Sequence, residues 1–363
     1  MSERVTNPSS LLKTSADALF ERFSIAAVIP AYNVERHIED VLTTLPRFLR
    51  HIIVVDDGSM DRTRAIVEFV ASQDSRIILE SHDVNRGVGG AMITGFRRAL
   101  ELGAQIIVKI DGDGQMSPDF LPDLLLPLIR GEADYTKGNR FRDFRALRHM
   151  PPVRRVGNMA LSFLAKAATG YWNCFDPTNG FVAIRGDVLS QIPLENIQRS
   201  YFFEISMLSE LYLLGAVIRD IPMPARYGDE TSNLSVNQVV QEFPMRLLRC
   251  LCRRLVLKNF IYDFTMESVY LLCGLPMLLA GVLYGGVNWI RYARMGIGAP
   301  TGTIVISALL IILGFQILLA AISLDLQSVP RHPICGGPLH EMSSNHADHG
   351  DSLSGGGCSF SST

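Results

Sequence analysis

The chain has 363 residues, of which 48% are hydrophobic and 19% charged, and its formal net charge is -2. That length leaves room for a full α/β domain and something more, while the near-neutral balance argues against nucleic acid as a partner. Six cysteines without disulfide-scaffold or zinc spacing suit a reducing compartment.

Met1 to Phe23 is of mixed polar composition without the apolar core of a signal peptide, and reads as a short, partly ordered leader. From 24 to 137, short apolar runs alternate with helical stretches, which predicts a doubly wound, mostly parallel α/β sheet. Ile25 to Ile29 is the expected first strand, ending at Pro30-Ala31-Tyr32-Asn33. His51 to Val55 is the second, followed by the turn Asp56-Asp57-Gly58-Ser59. Asp61 is the expected N-cap of a helix reaching about Ala71, and Arg76 to Glu80 is a third strand. Arg86-Gly87-Val88-Gly89-Gly90 opens a helix ending near Gly103. A fourth strand, Gln105 to Ile110, leads into Asp111-Gly112-Asp113-Gly114-Gln115, and Asp134 to Lys137 is another. These polar clusters follow strand ends, on the edge where open α/β sheets bind ligands.

Asp111 and Asp113 stand one residue apart at a strand exit, so their side chains aim at one small region. Neighbouring carboxylates are costly unless a cation or proton lies between them. Hard cations such as Mg²⁺ or Mn²⁺ favour such oxygens, above all when substrate phosphates complete the shell. The pair therefore suggests a metal–diphosphate site, with a surface turn or a Ca²⁺ loop as the other readings.

Val236 to Phe264 interleaves apolar residues with Arg246, Arg249, Arg253, Arg254 and Lys258, the pattern of a helix lying on an anionic membrane surface. Pro244 should break it into two pieces, and packing against the preceding domain is the rival reading. Ser268 to Ile290 and Met295 to Leu324 carry no charge, and both exceed the roughly 20 residues a spanning helix needs. The basic cluster before the first span outnumbers Arg291 and Arg294 between the spans, which puts both ends of the hairpin in the cytoplasm. The expectation is a multi-pass protein of the cell membrane. From Arg331 the chain is rich in Gly, Ser and His and reads as disordered. The expected units are 1–23, 24–235, 236–264, 265–326 and 327–363.

Pro30-Ala31-Tyr32-Asn33, Asp56-Asp57-Gly58-Ser59, Asn85-Arg86-Gly87 and Asp111-Gly112-Asp113-Gly114-Gln115 occur in the order seen in family-2 glycosyltransferases of the GT-A fold, which this chain resembles. Gly138-Asn139-Arg140-Phe141, Asp176-Pro177-Thr178-Asn179-Gly180-Phe181 and Phe202-Phe203-Glu204 are similar to the polyprenyl-phosphate branch of that family. The resemblance covers roughly Ser24 to Asn233. It implies a Rossmann-like GT-A domain followed by interfacial helices and a two-helix transmembrane hairpin.

The same resemblance implies transfer of a sugar from a nucleotide-sugar to a polyprenyl phosphate, metal-dependent and inverting. Pro30, Tyr32 and Glu35 would line the nucleotide pocket beside Asp56 and Asp57, for which a capping turn is the other reading. Asp111, Asp113 and Gln115 would hold Mg²⁺ or Mn²⁺ on the donor diphosphate, with Gly112 beside them and Asp113 the direct ligand. Arg226 matches a diphosphate-binding arginine. Arg140, Arg154, Arg155 and Asn158 would take the lipid phosphate, so Asp113, Arg140 and Arg155 are the expected catalytic set. Glycines 87, 89 and 90 suit a close backbone approach or tight turn packing, and Glu204 is expected to open an amphipathic helix. The partners are then the donor, the lipid acceptor and the membrane, with no nucleic acid and with room for a homo-oligomer. A processive polysaccharide synthase and a non-catalytic membrane-tethered binding protein are the alternatives.

Overall fold

The computed structural model describes residues 17–140, 152–224 and 236–340, without the side chains of 152–156, 158 and 236–242. Seven strands, β1 (Ile25–Ala31), β2 (His51–Asp56), β3 (Ile77–Ser81), β4 (Ile106–Lys109), β5 (Tyr135–Asn139), β6 (Val182–Arg185) and β7 (Ile218–Pro222), form one sheet. Their order is β3-β2-β1-β4-β6-β5-β7, and only β6 runs antiparallel to its neighbours. The expected mostly parallel sheet is therefore present. In β1, Ile25, Ala27 and Ile29 join the core on one face while Ala26 and Val28 join the other. A strand covered on both faces needs an unbroken apolar run, and that is what the sequence carries.

Helices α1 (Ile38–Thr44), α2 (Thr63–Ala71), α3 (Val88–Glu101) and α4 (Leu121–Ile129) cover the sheet, followed by α5 (Pro152–Thr169) and α6 (Phe203–Leu214). Asp61 lies one residue before the cap position of α2, and its carboxylate accepts the backbone N–H groups of Thr63 and Glu35. Helix α6 differs from the amphipathic helix expected after Glu204. It is buried almost all round, because Phe203, Met207, Leu208 and Leu211 pack on the sheet while Phe202 and Ile205 meet the next layer. At the end of the expected leader, Phe20 and Phe23 are buried, with the Phe20 ring 5.0 Å from that of Phe48; residues 1–16 lie outside the described residues.

The chain then continues as α7 (Val236–Val256), α8 (Met266–Met295) and α9 (Thr301–Gln327). Pro244 does not break α7. Phe243 and Leu247, on either side of it, are buried with Ala165 and Ala168 of α5 and with Phe202 and Ile205, and that packing holds the helix through the missing N–H. The departure from α-geometry comes later, as a π-turn over Leu257–Tyr262.

Helices α8 and α9 are long and apolar enough to cross a membrane, and little of their most apolar stretches is buried within the protein. They pack on each other through small residues. A Cβ at Gly281 would lie 2.9 Å from the Ile311 nitrogen, and one at Gly314 would lie 2.6 Å from that of Leu278. Ser307 donates a hydrogen bond to the Gly281 carbonyl at 3.1 Å. Such close backbone approach is how helices associate where no hydrophobic effect drives them together.

Three cations of the interfacial pattern pair with carboxylates of the protein, as the rival packing reading has it. Arg254 is buried and grips Asp325 of α9 with two hydrogen bonds of 2.6 and 3.0 Å. Trp172 donates to the same carboxylate at 3.1 Å. Lys258 bonds both Asp325 and Glu267, at 2.9 and 2.8 Å, and so ties the end of α9 to the start of α8. Arg253 pairs with Glu210 of α6. The unpaired carboxylates of Asp325 and Glu267 would be intolerable in an apolar setting, and this need outweighs headgroup attraction for nearby cations.

Beyond α9 the expectation of disorder fails for residues 331–340; residues 341–363 lie outside the described residues. Ile334 N–H bonds the buried Asp134 carboxylate, Leu339 N–H bonds the Ile129 carbonyl, and Arg185 donates to the Gly337 carbonyl. Gln105 donates to the carbonyl of His340 at 2.8 Å. The cause is Asp134, whose buried carboxylate needs donors and finds them in Val217 and Ile334.

Asp325→Ala should leave Arg254 as a buried uncompensated charge and cost about 3–5 kcal/mol. The expected result is a large drop in Tm of the detergent-solubilised protein, mostly recovered in an Arg254→Met, Asp325→Leu double variant.

Candidate active site

Strands β1 and β4 are neighbours in the sheet, yet the chain leaves β1 toward β2 and enters β4 from β3, so their carboxyl ends form a topological switch point. The loop after β4 packs against the end of β1: a Cβ at Gly112 would lie 3.4 Å from the Pro30 carbonyl oxygen. Gly114 turns this loop with a positive φ of 75°, a conformation that favours glycine. Beside it opens a cleft of about 160 Å³ lined by Asp111, Asp113, Gln115, Arg140, Thr178, Asn179, Gly180 and Glu204.

Lys109, the last residue of β4, lies fully buried beneath this cleft. Its Nζ is 2.7 Å from Asp111 Oδ1 and 3.4 Å from Glu204 Oε1. Burial alone would lower the lysine pKa, but the charges of Asp111 and Glu204 more than offset it and hold it above the usual value. A second buried lysine, Lys137 of β5, donates to the Asn179 carbonyl. Burial pushes its pKa below the usual value, although Cys174, Glu204 and Asp176 act the other way. Both lysines pair in register with Val182 of β6, so they lie in one row across the sheet.

Arg140 Nε and Nη2 donate to the two oxygens of Asp176, at 2.8 and 3.1 Å, and Asp176 is completely buried. The guanidinium is therefore held as a planar fork at the cleft wall. Asp113 Oδ1 accepts the N–H of Gln115 at 3.0 Å, which shapes the metal-candidate loop.

The structure thus brings Asp111, Asp113, Gln115 and Arg140 into one cleft. Pro30, Tyr32, Glu35, Asp56 and Asp57 gather at the ends of β1 and β2 and do not line that cleft. Tyr32 is exposed, while Glu35 accepts the backbone N–H of Arg62 at 3.1 Å. Asp56 is buried and accepts Ser59 N–H at 3.2 Å, in the manner of a turn. Asp57 binds His82 Nδ1 at 2.7 Å and the N–H of Arg86 at 2.9 Å, so it braces the segment ahead of α3. The glycines at the start of α3 serve packing: the N–H groups of Gly89 and Gly90 both donate to the Arg199 carbonyl. A Cβ at Gly89 would lie 2.1 Å from the Gln198 carbonyl oxygen. Arg154, Arg155 and Asn158 stand on the first turns of α5, where their side chains lie outside the described ones, and Arg226 lies outside the described residues.

Sequence reasoning did not single out Lys109, Lys137 or His82, which are buried around the ends of these strands. A signal was available for the lysines, since a charged residue inside a buried strand is rare unless paired. His82 carried no such mark.

Gly180 faces Lys109 so closely that a Cβ there would lie 2.2 Å from the ammonium and 2.9 Å from Asp111 Oδ2. Gly180→Ala should therefore overpack the site and destabilise the fold by about 1–3 kcal/mol, measurable by denaturant or thermal unfolding.

The sequence profile described as Glycosyl transferase family 2 matches residues 26–192. The UDP-N-acetylglucosamine–dolichyl-phosphate N-acetylglucosaminyltransferase of Methanococcus voltae is 37% identical over 161 residues, covering 41% of this chain and 64% of that protein. This chain therefore spans less than two thirds of that relative's length. The undecaprenyl-phosphate mannosyltransferase of Micrococcus luteus is 32% identical over 205 residues, covering 55% of this chain and 82% of that protein. Among solved structures, the glucosyl-3-phosphoglycerate synthase of Mycobacterium tuberculosis, crystallised with Mn²⁺, UDP and glucosyl-3-phosphoglycerate, gives a TM-score of 0.49 at 23% identity. That alignment covers 66% of this chain and 83% of the other. The profile match and the extent of the mannosyltransferase match place this chain in glycosyl transferase family 2.

Proposed function

We propose that this protein transfers a sugar from a nucleoside-diphosphate donor to a polyprenyl phosphate at the cytoplasmic face of a membrane, with inversion at the anomeric carbon. The observation that carries this reading is the cleft shared by Asp111, Asp113 and Arg140, which follow the carboxyl ends of β4 and β5. An acidic pair suits a cation-bridged diphosphate, and an arginine fork suits a second phosphate. Two polyprenyl-phosphate sugar transferases among its relatives support the same substrate class. So do the two apolar helices and the exposed apolar residues Met159 and Phe163 on α5, with Met245 and Leu248 on α7.

The donor set fits Mg²⁺ or Mn²⁺. Among the described residues no group of three or more His, Cys, Asp or Glu gathers to cage a metal. Magnesium commonly takes only one or two carboxylates together with substrate phosphates, and Asp111 and Asp113 supply that number. When bound, the metal neutralises charge that builds on the departing nucleoside diphosphate. The chain's own residues do the rest. Arg140, fixed by Asp176, orients a phosphate at the cleft wall. Arg155, with Arg154 and Asn158 on the same helix, is assigned to the lipid phosphate. That acceptor is largely dianionic at neutral pH, its second pKa being about 6, so no strong general base is needed. We assign catalysis to 24–235 and membrane attachment to the helices that follow.

Asp113→Ala should abolish transfer in a protein that still folds, as judged by circular dichroism. Full activity of that variant in EDTA would remove the metal from the reading.

Arg155→Ala should lose a charge-assisted bond of about 1.5–3 kcal/mol, which slows transfer to the lipid by at least about tenfold. Donor affinity should stay nearly unchanged. Independent titration of nucleotide-sugar and polyprenyl phosphate separates the two; lost donor affinity with intact lipid dependence would move Arg155 to the donor side.

A further inference from the structure

The lysine beneath the cleft has no part in the mechanism above, and its surroundings are unusually specific. Lys109 is buried, and its ammonium meets two carboxylates from different parts of the fold. Asp111 belongs to the loop after β4, whereas Glu204 stands in the first turn of α6. Neither carboxylate is fully exposed, at 30% and 13% for their side chains. The third wall is Gly180, where any side chain would collide with the ammonium. A buried cation survives only when paired and hydrogen-bonded, so this arrangement is a built seat for one positive charge.

That charge sits directly on a residue of the candidate metal pair. A divalent cation taken up by Asp111 must share the carboxylate with Lys109, whose nitrogen is 2.7 Å from Oδ1. Two effects follow. The hydrogen bond orients the Asp111 carboxylate, and the like charge of the ammonium weakens the hold of the site on any second cation. Glu204 moderates the second effect, because it draws on the same ammonium from the side of α6.

Resting on the reading of Asp111 and Asp113 as the metal pair, we infer that Lys109 is a positioning residue that orients Asp111 and keeps the divalent cation weakly held and exchangeable. Glu204 sets the strength of that restraint. If a nucleotide product left together with the cation, weak retention would favour its release. Helix α6 thereby becomes electrostatically coupled to the loop that follows β4.

The inference predicts shifts of opposite sign. Mn²⁺ is titrated into the full-length protein in detergent, and free Mn²⁺ is followed by its electron paramagnetic resonance signal. Lys109→Met should bind Mn²⁺ at least tenfold more tightly than the wild type while turning over more slowly. Glu204→Gln, which leaves the ammonium less compensated, should bind it at least threefold more weakly. Damage to the fold weakens binding in both variants, so tightening in the first cannot arise from it. Weaker or unchanged binding in Lys109→Met overturns the inference. Should that variant fail to fold, unchanged binding in Glu204→Gln overturns it equally. Wild-type protein that binds no Mn²⁺ would remove the metal reading itself, whereas normal wild-type binding with unshifted variants removes only the role of Lys109.

Discussion

The relation between the sheet domain and the apolar hairpin hangs on the ion pair of Arg254 and Asp325. Its energy is not a simple gain, since stripping water from both ions costs several kcal/mol before the attraction returns it. What the pair supplies is position. Arg254 near the end of α7 and Trp172 in the sheet domain both converge on the carboxylate of Asp325, at the end of α9. Lys258 extends the junction to Glu267 at the start of α8. This charged knot marks where the apolar helices end and the sheet domain begins.

The cleft has a comparable logic on a smaller scale. Its floor carries Lys109 and Lys137 in one row, and Asp111, Glu204 and Asp176 lie around them together with Arg140. Acidic and basic groups interleave there, so no large field of one sign develops. Such a floor holds polar side chains at fixed angles, which is electrostatic preorganisation.

Much of the fold could be read from local pattern. Strands β1, β2 and β4 announce themselves because parallel strands buried on both faces need unbroken apolar runs. Asp111 and Asp113 were legible as candidates because a short polar motif ends such a strand, and Arg140 through the family resemblance. The misreadings share one cause, which is partnership across long separations. Arg254 looked like a headgroup contact because its partner lies 71 residues away. Pro244 looked like a break because the packing that carries α7 past it comes from α5 and α6. The double role of Asp57, on His82 and Arg86, depends on a loop brought to it from the next strand. Lys109 was visible within its motif, yet only the fold reveals that Glu204 completes its seat.

The segment after α9 has a consequence for the order of events during synthesis. Ile334 closes on Asp134 across 200 residues, and His340 on Gln105 across 235. Contacts so distant in sequence are the last a growing chain can make, and each must await closure of a very long loop. The foot of β5 therefore keeps a buried carboxylate short of donors until both apolar helices have emerged from the ribosome. The contacts that close this edge of the sheet domain therefore form only after α8 and α9 have been synthesised.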